Sequence, residues 1–122
     1  MSLAGLMGAS GVALAARAAH GTGNQAILNT AALFLIMHAN ALLAIFAGSL
    51  AMAALQPATA RILTWCGWIM GLGACLFSAD LAWRGLENAS LFEGAAPTGG
   101  IAMILGWILL AVSGALIFRR AR

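Results

Sequence analysis

The chain has 122 residues, of which 63% are hydrophobic and only 7% charged, with a mean hydropathy of +1.00. Soluble domains run about 25% charged and about 45–50% apolar, and so small a body cannot hide this much apolar surface from water. A soluble monomer, a disordered chain and a coiled coil are excluded. The net charge of +3 comes from six arginines against three acids. Three of those arginines (Arg119, Arg120, Arg122) crowd the C-terminus, where they read as an anchor beside a membrane helix. No basic face or stripe exists for nucleic acid.

Charges divide the chain into apolar runs: Ser2–Ala16, Ala18–Ala60, Ile62–Ala79 and Gly94–Phe118. A membrane helix needs about 20 mostly apolar residues, so the second run is too long for one crossing. Its polar start, Gly21-Thr22-Gly23-Asn24-Gln25, reads as a loop, with glycine as terminator and Asn or Thr as cap. Four helices are predicted, over about 3–19, 25–55, 59–86 and 99–119. The first barely spans. Its alanine-rich end resembles the small-residue end of a signal peptide, but Met1–Gly8 carries no basic side chain, so the helix is expected to be retained. The second ends before Pro57, which cannot continue a helix. The fourth follows a Pro97-Thr98-Gly99-Gly100 turn. No strand alternation occurs, which leaves helices as the means of satisfying the backbone in lipid. The expected fold is all-α: a polytopic, compact four-transmembrane-helix bundle, with residues 1–122 as one membrane domain.

Arginine bias sets the expected orientation. With both termini in the cytoplasm, the inside carries Arg61 and the C-terminal trio, and the outside carries Arg17 and Arg84. Trp65 and Trp68 then fall near the inner end of helix three and Trp83 near its outer end, as interfacial belts prefer. Trp107 lies deeper and reads as a packing residue.

Lipid tails are as apolar as leucine, so helices must associate through close packing and polar contacts. Gly67 and Gly71 have small-xxx-small spacing on helix three, on a stripe continuing to Ser78, and helix four offers Gly106. Tight packing within one bundle and a homodimer face on helix three both fit this pattern. Cys66 and Cys75 lie about 13.5 Å apart along the helix and half a turn out of phase, too far for a disulfide or one metal site. They read as small buried hydrophobes.

Ionisable groups inside a membrane are functional candidates. Asp80 and Arg84 are four apart and share a helix face. Arg17 and His20 close helix one at the same outer level, and His38 lies about 12 Å deep in helix two. One expectation is a polar cluster of Arg17, His20, His38, Asp80 and Arg84 that takes a headgroup, a quinone or a cation. The other is an Arg–Asp ion pair with a hydrogen-bonded histidine that fixes helix register. Two histidines without cysteine or carboxylate spacing make a poor metal or haem set, so no metal and no cofactor is assigned. There is no HExxH, GxSxG, P-loop or paired carboxylate, and no enzyme is expected.

The ordered pieces Ala18-Ala19-His20-Gly21, Thr30-Ala31-x-x-Phe34-x-x-x-His38-Ala39-x-Ala41-Leu42-Leu43, Gly67-Trp68, Gly73, Leu76-Phe77-Ser78, Pro97-Thr98-Gly99-Gly100 and Gly106-Trp107 run nearly the length of the chain. Together they resemble the small four-helix membrane family called domain of unknown function 423, with its transmembrane protein 256-like members. The resemblance implies a bacterial cytoplasmic (inner) membrane or mitochondrial inner membrane, four crossings, and no established activity. It directs attention to His20 and His38, which occupy the family's histidine positions. Phe34 stands where the family leads one to expect tyrosine, and Arg17 and Asp80 stand where it leads one to expect an uncharged residue and a serine. An ion pair between Arg17 and Asp80 is one expected compensation. The expected role is a structural or accessory subunit that packs in the lipid bilayer against a larger membrane complex or against itself as a homo-oligomer. The alternatives are a small transporter or binder of an amphipathic molecule, and a haem- or quinone-associated respiratory accessory subunit.

Overall fold

The computed structural model describes residues 1–120, with side chains through Ile117. Four helices fill it: α1 (Ser2–His20), α2 (Gln25–Ala53), α3 (Pro57–Glu87) and α4 (Ala95–Arg120). All four are long and apolar enough to cross a membrane, and no strand is present among the described residues. The C-terminal arginines named above as an anchor lie outside the residues whose side chains are described.

Local chemistry sets the helix ends. The first helix stops at Gly21, whose N–H bonds to Arg17 O at 2.8 Å. Asn24 opens α2 as its N-cap, its side-chain oxygen accepting from the Ile27 N–H at 3.2 Å; this satisfies one of the donors a helix start leaves unpaired. Pro57 takes the first position of α3, where its missing N–H costs nothing. Asn88 closes α3 in the left-handed region with φ 56°, its N–H returning to Arg84 O. The fourth helix begins at Ala95, so Pro97 sits inside its first turn instead of in a turn before it. Proline is tolerated there for the same reason as at Pro57.

Helix α3 is the hub. It packs along α2 on one side and α4 on the other, while α1 lies against α2 and meets α3 only briefly. Neither α1 nor α2 makes a close backbone approach to α4. One core cluster draws on all four helices through Met7, Leu35, Ala39, Ala74 and Met103. A second joins Ile45, Leu63 and Met70 nearer the α2–α3 turn.

Small residues set how close the helices come. A Cβ added at Gly99 would meet Phe77 N at 2.6 Å and Gly73 O at 2.7 Å, and one at Gly73 would meet Gly99 O at 2.9 Å. The α3 and α4 backbones therefore touch at this crossing, the arrangement that replaces hydrophobic driving force in lipid. Gly106 seats against Met70, with an added Cβ only 2.9 Å from the methionine Cβ. The Gly67–Gly71 spacing serves the α2–α3 contact within the chain: Gly71 faces Leu3 and Leu42, and Gly67 faces Ile45. Ser78 is fully buried.

Candidate intramembrane polar site

The structure divides the five polar residues singled out from the sequence among three places. Asp80 is fully buried. Its Oδ2 accepts from Arg84 Nε at 2.7 Å, and its Oδ1 accepts from the Leu91 backbone N–H at 2.7 Å. The carboxylate thus ties the last turns of α3 to the segment leading into α4. Charge-assisted bonds to both oxygens make a buried carboxylate tolerable. Arg84 is half-exposed, its side chain 42% accessible.

Arg17 does not reach this pair. It is exposed at the end of α1, where its Nη2 lies 3.5 Å from Thr22 Oγ1. Asp80 pairs with Arg84 on its own helix, so the interhelical Arg17–Asp80 compensation does not form. The i, i+4 spacing reaches Asp80 without the loop-closing cost of a bond to another helix. His20 is also exposed, in the last turn of α1.

His38 stands alone in the core, only 4% exposed. It lies about 6 Å along α2 from Leu42, which packs on Gly71, whereas Asp80 lies about 13 Å along α3 from Gly71. The two residues therefore occupy different levels of the bundle. The His38 Nδ1 is 2.8 Å from Phe34 O, one turn back. A carbonyl only accepts, so Nδ1–H donates, and in the neutral ring Nε2 keeps a bare lone pair. That Nε2 is buried and has no partner, as is Ser78 Oγ. Aromatic rings surround the imidazole. Phe34 stacks on it with centroids 5.8 Å apart, Trp107 meets it edge-on at 6.2 Å, and Phe77 packs on Phe34 at 4.7 Å.

Trp107 thus reaches from α4 to α2 across a gap their backbones do not close. Expected from its depth to be a packing residue, Trp107 is 47% exposed: one edge packs on His38 and the rest lies on the flank of the bundle, and nothing in the sequence specifies His38 as its neighbour. The loop donor Leu91 N was equally invisible, because a backbone N–H leaves no mark on residue type. Among the described residues no three His, Cys, Asp or Glu side chains gather into a metal-holding group. Both cysteines are free, Cys66 buried and Cys75 half-buried.

Four apolar helices and charged side chains held mostly near helix ends define a small multi-pass α-helical membrane protein. The profile of the family described as Protein of unknown function (DUF423) matches residues 14–100, and the chain belongs to that family. Curated relatives carry the name UPF0382 membrane protein. One from Staphylococcus epidermidis is 27% identical over 66 residues, covering 54% of each chain. One from Staphylococcus haemolyticus is 29% identical over 66 residues, covering 54% of each chain. YwdK from Bacillus subtilis is 36% identical over 50 residues, covering 41% of each chain. The chain thus spans about half the length of the curated relatives it matches. No solved structure matches.

Proposed function

We propose that this protein is a non-enzymatic accessory subunit of a bacterial cytoplasmic membrane, working by packing against a larger membrane complex or a second copy of itself. The observation that carries this reading is the closure of Asp80. The one buried carboxylate is held by Arg84 and Leu91 N and is not presented to a cavity. Beyond the helices, the described residues offer only Met1 and the short stretches 21–24, 54–56 and 88–94. What remains for recognition is the flank of the bundle, above all the apolar outer side of α4 with Ile101, Ile104, Leu105 and Ile108. Photo-crosslinking in native membranes tests it, with a benzophenone amino acid at Ile104 on α4 and at Leu33 on α2. An adduct of one defined mass containing another membrane protein is expected. A self-adduct alone assigns the homo-oligomer, and no protein adduct from either position overturns the reading.

A second reading rests on His38. Its buried Nε2 is a hydrogen-bond acceptor without a donor, which suits an amphipathic molecule that brings an O–H into the bilayer core, a quinol among them. Mass spectrometry of the organic extract should then find a small molecule in the purified protein and none in His38→Phe. Equal extracts from the two proteins dispose of this reading.

A further inference from the structure

The third helix carries an unpaired cation at the opposite end from Asp80. Arg61 is exposed and forms no ion pair among the described residues. At helical spacing above it stand Trp65, Trp68 and Leu72, at 67%, 52% and 59% exposure. These four residues with Thr64 line a surface furrow of about 470 Å³. Thr64 and Trp68 also border a second cleft of about 560 Å³ where the start of α1 meets α2 and α3, walled by residues 1–4 on one side and by Leu42, Ile45, Phe46 and Ser49 on the other. Both volumes fall within the roughly 300–1,000 Å³ of small-molecule sites.

We infer that this furrow and cleft hold one phospholipid with an anionic headgroup, its phosphate on Arg61 and one acyl chain running past Trp68 toward Leu72. Length supports the assignment. Arg61 and Arg84 stand about 34 Å apart along α3, which brackets a hydrocarbon core of about 30 Å and puts Arg61 at the interface. From Arg61 to Leu72 is about 16 Å, roughly half that core, the depth of one leaflet. Chemistry supports it too. A guanidinium forks onto phosphate oxygens, the two indoles sit where amphipathic rings settle near headgroups, and the wall deeper along the path is apolar. Ser49 and Thr64 lie 3.1 Å from each other and each lies within donating distance of Ala60 O, so both hydroxyl protons have an acceptor at hand and ask nothing of an acyl chain.

Native mass spectrometry of the full chain, incubated in detergent with dioleoyl phosphatidylglycerol or dioleoyl phosphatidylcholine, tests this. The wild-type protein should retain one phosphatidylglycerol in preference to phosphatidylcholine. Arg61→Gln should lower that retention about five-fold, the factor one arginine contributes beside an anionic membrane surface. Arg17→Gln, at the other end of the bundle, should retain the lipid as the wild type does. No headgroup preference, a preference that survives Arg61→Gln, or an equal loss in Arg17→Gln overturns the proposal. A change in oligomeric state in Arg61→Gln without loss of lipid also overturns it, by giving the stripe to a second copy. Should Arg61→Gln fail to fold, tryptophan quenching in the wild type decides. Phosphatidylglycerol with brominated chains should quench more than brominated phosphatidylcholine at equal mole fraction, and equal quenching overturns the proposal.

Discussion

Asp80 and His38 are both buried ionisable residues, yet their surroundings give them opposite sensitivities. Asp80 accepts two short bonds, so its removal orphans the Leu91 N–H and leaves Arg84 without its partner. Asp80→Ala is expected to cost about 1–3 kcal/mol, the worth of hydrogen bonds to a charged group, with the Arg84 share reduced because that side chain is half in solvent. Thermal unfolding in detergent measures it. Coupling separates the two arginines. The Asp80→Ala, Arg84→Ala pair should be non-additive, whereas Asp80→Ala with Arg17→Ala should add within about 0.5 kcal/mol. A coupled Arg17–Asp80 cycle would mean the interhelical pair forms after all. His38 behaves differently because its Nε2 has no partner to lose. His38→Phe removes an unsatisfied acceptor and keeps an aromatic ring beside Phe34 and Trp107; it gives up the Nδ1–H bond to Phe34 O, but that carbonyl keeps the bond of the helix itself, so the unfolding temperature should match or exceed that of the wild type. A drop comparable to that of Asp80→Ala would show that Nε2 has a partner in the membrane.

At the scale of helices, the sequence marks each apolar segment but not which glycines bear the contacts. Gly67 and Gly71 advertise themselves by spacing, yet the α3 and α4 backbones touch at Gly73 and Gly99. Those two are far apart in the chain, and only the crossing of α3 and α4 brings them together, so no periodicity within one helix reveals them. Gly99 next to Gly100 reads equally well as a helix start. Their environments now distinguish the neighbours: nothing lies within 4 Å of a Cβ added at Gly100. Gly99→Ala should destabilise by about 1–3 kcal/mol, as overpacking does, because backbone atoms on both sides cannot yield. Gly100→Ala should be neutral or stabilise by up to about 1 kcal/mol through helix propensity. Unfolding of the two single variants under the same conditions checks the pair. Similar losses at both positions would place α4 in a different rotation against α3.

For the whole molecule, charge reads topology more directly than it reads contacts. The even number of crossings puts both ends of the chain on one side of the bilayer, and α3 begins on that same side. Arg61 therefore joins the C-terminal arginines there, opposite Arg17 and Arg84. The excess of arginine at the end holding the α2–α3 turn predicts that this end is the cytoplasmic one, since positively charged short loops tend to be retained inside. Asp80, Glu87 and Glu93 gather at the other end, but acids weigh little in this rule, so the arginines decide. The four apolar segments were legible from composition alone, whereas the Asp80–Leu91 bond and the Gly73–Gly99 crossing depend on which residues the packed helices bring together. Cysteine labelling in intact cells tests the orientation, with Asn88→Cys in the α3–α4 segment and Gln56→Cys in the α2–α3 turn. A membrane-impermeant maleimide should modify Asn88→Cys and spare Gln56→Cys. The native Cys66 and Cys75 stay silent because both lie within α3 inside the bilayer. The reverse labelling pattern would invert the protein and place the Arg61 stripe in the outer leaflet.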